Sequence, residues 1–225
     1  MGKQNFQIDY YYHNTTNDFV ELWLSEPKET STQQDVTVTA NKEPDQITKH
    51  DYVNNIWYFK LKPDEKLEAT FTYSGVRKGT SSSPITEDEK NFFLRSTELI
   101  PVDEQVKKEA EAIVGDAQTD WDKAKRLYTF ITEKFSYSTS FNKRGVGYFL
   151  DRKKGDCGEF GALFCSYCRS LGIPAKMLYG TWTLRRFSPH AWREIYIEGN
   201  GWMPVDPSMG RLKVKYHPFL NISTS

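Results

Sequence analysis

Asp156-Cys157-Gly158-Glu159-Phe160-Gly161-Ala162-Leu163-Phe164-Cys165-Ser166-Tyr167-Cys168-Arg169-Ser170-Leu171-Gly172-Ile173-Pro174 decides how this chain reads. Phe160, Leu163, Phe164, Tyr167, Cys168 and Leu171 recur at i, i+3, i+4, i+7, i+8 and i+11. That is the stripe of a helix with a buried face. Asp156 suits the N-cap, Gly172 the stop, and Pro174 bars continuation. Stepping back three residues from Phe160 puts Cys157 in the first turn, at the head of the same face. First-turn N–H groups lack intrahelical acceptors, and the helix end carries about half a positive charge. Both favour a thiolate, so Cys157 is a candidate nucleophile, and its own N–H is a candidate donor to an oxyanion. Gly155, Gly158 and Gly161 keep the surroundings small, so another segment can approach closely.

Downstream, Ala175 to Trp182 reads as a strand, and Thr183 to Pro189 as a loop carrying Arg185, Arg186 and Phe187. His190 to Ile197 reads as a second strand, with His190, Trp192, Glu194 and Tyr196 on one face. Glu198-Gly199-Asn200-Gly201 marks a hairpin, and Trp202 to Asp206 the returning strand. A turn centred on Gly199-Asn200 sets Ile197 opposite Trp202 and Glu194 opposite Val205. Asp206 then falls near Arg193, within reach of the His190 end of its neighbour. Pro204 is a candidate bulge. A carboxylate beside His190 could orient the imidazole and stabilise its protonated form. Singly, His190 reads as a surface or capping residue and Asp206 as a turn residue. Their combination with Cys157 is what points to a nucleophilic cysteine site.

The first ~80 residues carry the two-residue period of strands. Phe6 to Tyr12, Phe19 to Leu24, Asp35 to Ala40, Ile56 to Leu61 and Leu67 to Tyr73 alternate between Asn, Asp, Pro and Gly clusters. A small antiparallel sandwich is expected there. His13 and His50 read as solvated. Gly79-Thr80-Ser81-Ser82-Ser83-Pro84 breaks both periodicities and sets the expected boundary: a β domain over 1–84 and a second domain over 85–225. Beyond it, Val102 to Val114 and Asp120 to Phe135 are helical, the latter capped by Thr119.

Composition limits the function classes. Lysine plus arginine balances aspartate plus glutamate, 30 against 30, so nothing suggests a nucleic-acid or anionic-membrane partner. No apolar run approaches the ~20 residues of a transmembrane helix. No N-terminal stretch has the basic head and apolar middle of a signal peptide. The chain as written reads as cytoplasmic, with a removed export signal left open. The three cysteines, Cys157, Cys165 and Cys168, share one helix, a poor disulfide framework. Cys165 and Cys168 read as buried apolar residues, and metal binding would need two ligands beyond them.

Three motifs carry a family resemblance. Lys154-Gly155-Asp156-Cys157-Gly158-Glu159-Phe160 with Arg169-Ser170-Leu171-Gly172-Ile173-Pro174-Ala175 resembles the nucleophile helix of transglutaminase-like proteins. His190-Ala191-Trp192-Arg193-Glu194 and Gly201-Trp202-Met203-Pro204-Val205-Asp206-Pro207-Ser208 resemble its two later motifs. The resemblance covers residues 85 to 217, and the β-rich leader is similar to that of some bacterial members. It implies an α+β fold with a papain-like core, a nucleophile helix on an antiparallel sheet. It also implies roles: Cys157 as nucleophile, His190 as general base and acid, Asp206 as orienting residue. Tyr137 is the candidate for the family's upstream aromatic at the oxyanion site. Trp192, Arg186 and Phe187 are candidates for the substrate cleft. No cofactor or calcium is implied, and the partner is a protein or peptide substrate. The leading expectation is a hydrolytic cysteine protease or amidase. Glutamine–lysine cross-linking and a non-catalytic binding module are the alternatives.

Overall fold

The computed structural model describes residues 4–30, 33–75, 84–140, 143–182, 189–209 and 219–224. The described residues fall into two compact units. One comprises 4–75 with 180–182 and 219–224, the other 84–179 with 189–209. Residues 79–83 of the expected boundary lie outside the described residues.

The first unit contains β1 (Gln4–His13), β2 (Val20–Ser25), β3 (Gln33–Ala40), β4 (Gln46–Thr48), β5 (Ile56–Leu61) and β6 (Lys66–Gly75). They form two antiparallel sheets, ordered β1-β6-β3 and β2-β5-β4. The alternation seen in sequence faces one core of Leu24, Phe59, Leu61, Leu67, Ala69, Phe71 and Tyr73. All five expected strands are present within a few residues of their expected ends. Strand β4 was not expected: it has three residues, all exposed, and no alternation to read. His13 is not merely solvated, since its Nε2 lies 2.7 Å from Asp64 Oδ1.

The second unit carries α1 (Glu87–Leu94), α2 (Glu104–Val114), α3 (Asp120–Lys134), β7 (Ser136–Tyr137), α4 (Val146–Arg152), β8 (Lys154–Gly155) and α5 (Cys157–Ser170). Then come β9 (Ala175–Trp182), whose last three residues group with the first unit, β10 (Pro189–Ile197), β11 (Gly201–Val205) and a 3-10 turn at Pro207–Met209; the last strand, β12 (Phe219–Thr224), belongs to the first unit. Thr119 caps α3 as expected, accepting from the Asp122 N–H at 3.1 Å. Helix α5 is more enclosed than its stripe implies. Every residue from Glu159 to Arg169 is buried, because β10, α2, α3 and α4 all touch it. Its buried Arg169 is satisfied internally, donating from Nε to the Ala175 carbonyl and from Nη1 to the Arg95 carbonyl, both at 2.9 Å. Burial of Phe160, Leu163, Phe164, Tyr167 and Cys168 anchors the unit. Each such apolar side chain is worth about 1.5–3 kcal/mol.

Strands β9, β10 and β11 follow one another across the sheet, with β11 at an edge. The β10–β11 register is one residue from expectation: Ile197 pairs Gly201, Glu194 pairs Pro204 and Arg193 pairs Val205. The loop is three residues, Glu198 to Asn200, and Gly199 and Gly201 take φ of 74° and 76°. Those left-handed values are accessible to glycine and strained for most residues. Pro204 makes no bulge. On an edge strand its missing N–H can face away from the ladder.

Candidate active site

Cys157 is the first residue of α5, and the cap that starts the helix builds its surroundings. Asp156 Oδ1 accepts from the Gly158 N–H at 2.8 Å, and Glu159 Oε2 accepts from the Asp156 N–H at 3.3 Å. This is a reciprocal capping box. Arg144 spans it, with Nη2 3.1 Å from Asp156 Oδ2 and Nη1 3.3 Å from Glu159 Oε1. Sequence reading did not single out Arg144.

His190 enters from β10 and Asp206 follows the end of β11, so one hairpin delivers both. His190 Nε2 lies 2.8 Å from Asp206 Oδ2. Asp206 is 1% exposed. Its other oxygen accepts from the Ser208 hydroxyl at 2.7 Å and the Ser208 N–H at 3.2 Å. Ser208 thus fixes the carboxylate plane. Its signal was present in Asp206-Pro207-Ser208, since a serine two residues after an aspartate favours such a turn. The imidazole also hydrogen-bonds the Cys157 side chain. With Nε2 engaged by Asp206, Nδ1 is the nitrogen that remains for sulfur.

The charges follow this geometry. Burial opposes ionisation of Cys157, but the His190 hydrogen bond and charge and the Ala191 backbone N–H outweigh it and lower the thiol pKa. Burial also disfavours the imidazolium, yet hydrogen bonds and charge from Asp206 and Cys157 raise His190 to about 9. Asp206 is lowered despite burial, through His190, the charge of Arg193 and the Ser208 hydroxyl. All three shifts run in the direction that favours a thiolate–imidazolium pair braced by a carboxylate. Cys165 and Cys168 are fully buried and burial pushes both thiols up.

Tyr137 reaches the site through backbone pairing. Strand β7 runs parallel to β8, with Tyr137 opposite Gly155. Its hydroxyl meets the Cys157 side chain and accepts from the Cys157 N–H. Tyr137 is 55% exposed, so it stands at the surface beside Cys157. Burial and the neighbouring Cys157 and Asp156 charges raise its pKa and keep it protonated, able to donate. Trp192 is placed otherwise than expected. It is 1% exposed and its ring stacks 6.3 Å from His190. Strand alternation points it the same way as His190, but that face is covered here, so Trp192 backs the imidazole and does not line a cleft. Arg186 and Phe187 lie outside the described residues. An open concavity of about 1070 Å³ between α2 and α3, lined by Ile113, Lys125 and Phe130 among others, contains none of these groups.

Residues 107–207 match the model of the Transglutaminase-like superfamily. The chain carries a transglutaminase-like domain. The matched span runs from α2 through Asp206 and so includes Tyr137, Cys157, His190 and Asp206. Among solved structures, the chain is similar over its whole length to a "putative cysteine protease" from Cytophaga hutchinsonii. That match has a TM-score of 0.73 at 17% identity and covers 82% of the other chain. It is also similar to the periplasmic domain of TgpA from Pseudomonas aeruginosa, with a TM-score of 0.56 and 16% identity over 88% of this chain and 72% of that one. At these identities the likeness is one of fold. A curated relative, a peptide-N(4)-(N-acetyl-beta-glucosaminyl)asparagine amidase of Oryza sativa subsp. japonica, is 33% identical over 89 residues. Those residues are 39% of this chain, which spans about a fifth (19%) of that relative's length. In the transglutaminase-like domain described here, the motif residues Cys157, His190 and Asp206 are the ones that converge.

Proposed function

We propose that the protein is a thiol acyl-transfer enzyme that hydrolyses amide bonds in protein or peptide substrates. One observation carries the reading: the His190 ring hydrogen-bonds both Asp206, through Nε2, and the Cys157 side chain. A thiolate already formed needs no base to attack a carbonyl carbon. Sulfur bonds to that carbon as the carbonyl oxygen takes up charge. The Tyr137 hydroxyl and the Cys157 N–H, which contact each other before substrate binds, are the donors we assign to it. The C–N bond then breaks, and the His190 proton goes to the leaving amine. Water attacks the thioester with His190, now neutral, as base, and Cys157 leaves as thiolate. Asp206 keeps the imidazole oriented throughout.

Hydrolysis is favoured over amine capture by the amidase name of the curated relative, in which an amide is the bond acted on. A peptide-library digest read by mass spectrometry tests the reading. Fragments carrying one added water, lost in Cys157→Ala, are expected. Iodoacetamide at mildly acidic pH should label Cys157 ahead of Cys165 and Cys168. Equal, slow labelling of all three would sink the proposal. Incorporation of a labelled amine in place of water would move the activity to cross-linking.

A further inference from the structure

Arg193 is the one feature of the hairpin that the mechanism above leaves without a role. It is 0% exposed. Strand alternation turns it to the face of β10 opposite His190 and Trp192, toward α5. Its Nη2 donates to the carbonyl of Cys157. Its guanidinium fills the space a Cβ on Gly161 would need: such an atom would overlap Cζ, Nη2 and Nε. Arg193 pairs with Val205, the residue before Asp206. The side chain thus joins the nucleophile's own backbone to the strand pair that delivers the base and its carboxylate.

As a stabilising device this is a poor choice. A buried guanidinium loses its hydration, and its Nε and Nη1 have no hydrogen-bond partner among the described residues. It also sits at a helix N-terminus, where the dipole disfavours a cation. A functional return is the physical reason to keep it. We infer that Arg193 is a positioning residue that locks the Cys157 helix turn to the His190–Asp206 hairpin and adds a buried positive charge to the site. The inference rests on the acyl-transfer reading above.

The charges around it fix the expected sign. Asp206 is faced by His190 and Arg193 from β10, Ser208 from the 3-10 turn and Tyr128 from α3. Cys157 is faced by His190, Asp156, Tyr137 and Arg144. Against burial and alongside His190, the Arg193 charge draws Asp206 down. Removing it withdraws the charge that draws Asp206 down and the donor bonded to the Cys157 carbonyl, so thiolate is expected to form only at higher pH.

The rate of Cys157 alkylation by iodoacetamide against pH tests this in the full chain. Arg193→Met should move the acid limb upward by about one pH unit, roughly a tenfold loss of thiolate at a given acidic pH. Arg193→Lys should restore part of the shift, because the charge returns without the fork. Gly161→Ala offers an independent route if Arg193→Met fails to fold. Alanine is the better helix former by ~1 kcal/mol, so an upward shift there reports the displaced guanidinium. Leu127→Ala, in the α3 core, should lower the melting temperature and leave the limb in place. Loss of stability without a limb shift in Arg193→Met and Gly161→Ala would overturn the inference. An ordinary thiol limb in the unmodified protein would overturn the acyl-transfer reading and this one with it.

Discussion

His190 shows how a single residue was legible and its strength was not. The spacing of Cys157, His190 and Asp206 over three motifs marked them as a set. The largest favourable shifts come from the hydrogen bonds these three make with one another, and the Ala191 N–H, the buried charge of Arg193 and the Ser208 hydroxyl add to them. Because folded His190 titrates near 9 against an ordinary 6.5, its contribution to stability is full below pH 6.5. It is lost as pH rises through about 9. Asp206→Asn removes the anion that sustains the imidazolium. The His190 midpoint, followed by NMR of the imidazole nitrogens, should fall by roughly 1–2 units. An unchanged midpoint would mean that Asp206 does not hold the charge. Tyr137 was found through family likeness alone. Its route to the site is a two-residue parallel pairing, too short to leave a periodic trace.

Among the elements, those with strong periods and caps were readable. Helix α5 has both, and its observed span begins at Cys157 as expected. Helix α4 has neither: seven residues long, it starts at Gly145 with no side-chain cap. Helix α1 does carry a start signal at Thr86 and three acidic first-turn residues, but only Phe93 is buried, so no stripe exists to read. The hairpin register slipped by one because Gly201 pairs with Ile197 where Trp202 was expected to, a choice made by backbone φ and invisible to side-chain pattern. The α5 cap makes a prediction at this scale. Asp156 caps the helix and also opposes the Cys157 thiolate by its charge. Asp156→Asn should keep most of the cap and remove the charge, moving the alkylation limb to lower pH with little change in melting temperature. Asp156→Ala should add a stability loss of about 1 kcal/mol, measured by urea unfolding. A limb that moves upward in Asp156→Asn would refute the sign.

Over the whole molecule, two separate buried clusters correspond to the two periodicities in the sequence. The change from alternating to helical pattern was visible. The grouping of residues 180–182 and 219–224 with the first unit was not, since it depends on contacts far apart in the chain. Phe59 is completely buried in the first cluster. Phe59→Ala should cost about 3–5 kcal/mol. Hydrogen exchange should then show lost protection across β2, β5 and β6, while the Cys157 alkylation profile stays as it was. A shifted profile would show that the first core helps set the ionisation of the site.

The three cysteines on α5 have a consequence for oxidative damage. Cys165 and Cys168 are sealed in the interior, so the reactive sulfur has no companion thiol with which to close a protective disulfide. A sulfenic acid formed at Cys157 by peroxide can be rescued only by a thiol arriving from solution, and without one it proceeds to irreversible sulfinic acid. The enclosure of α5 leaves recovery of the Cys157 thiol dependent on the reducing power of its surroundings.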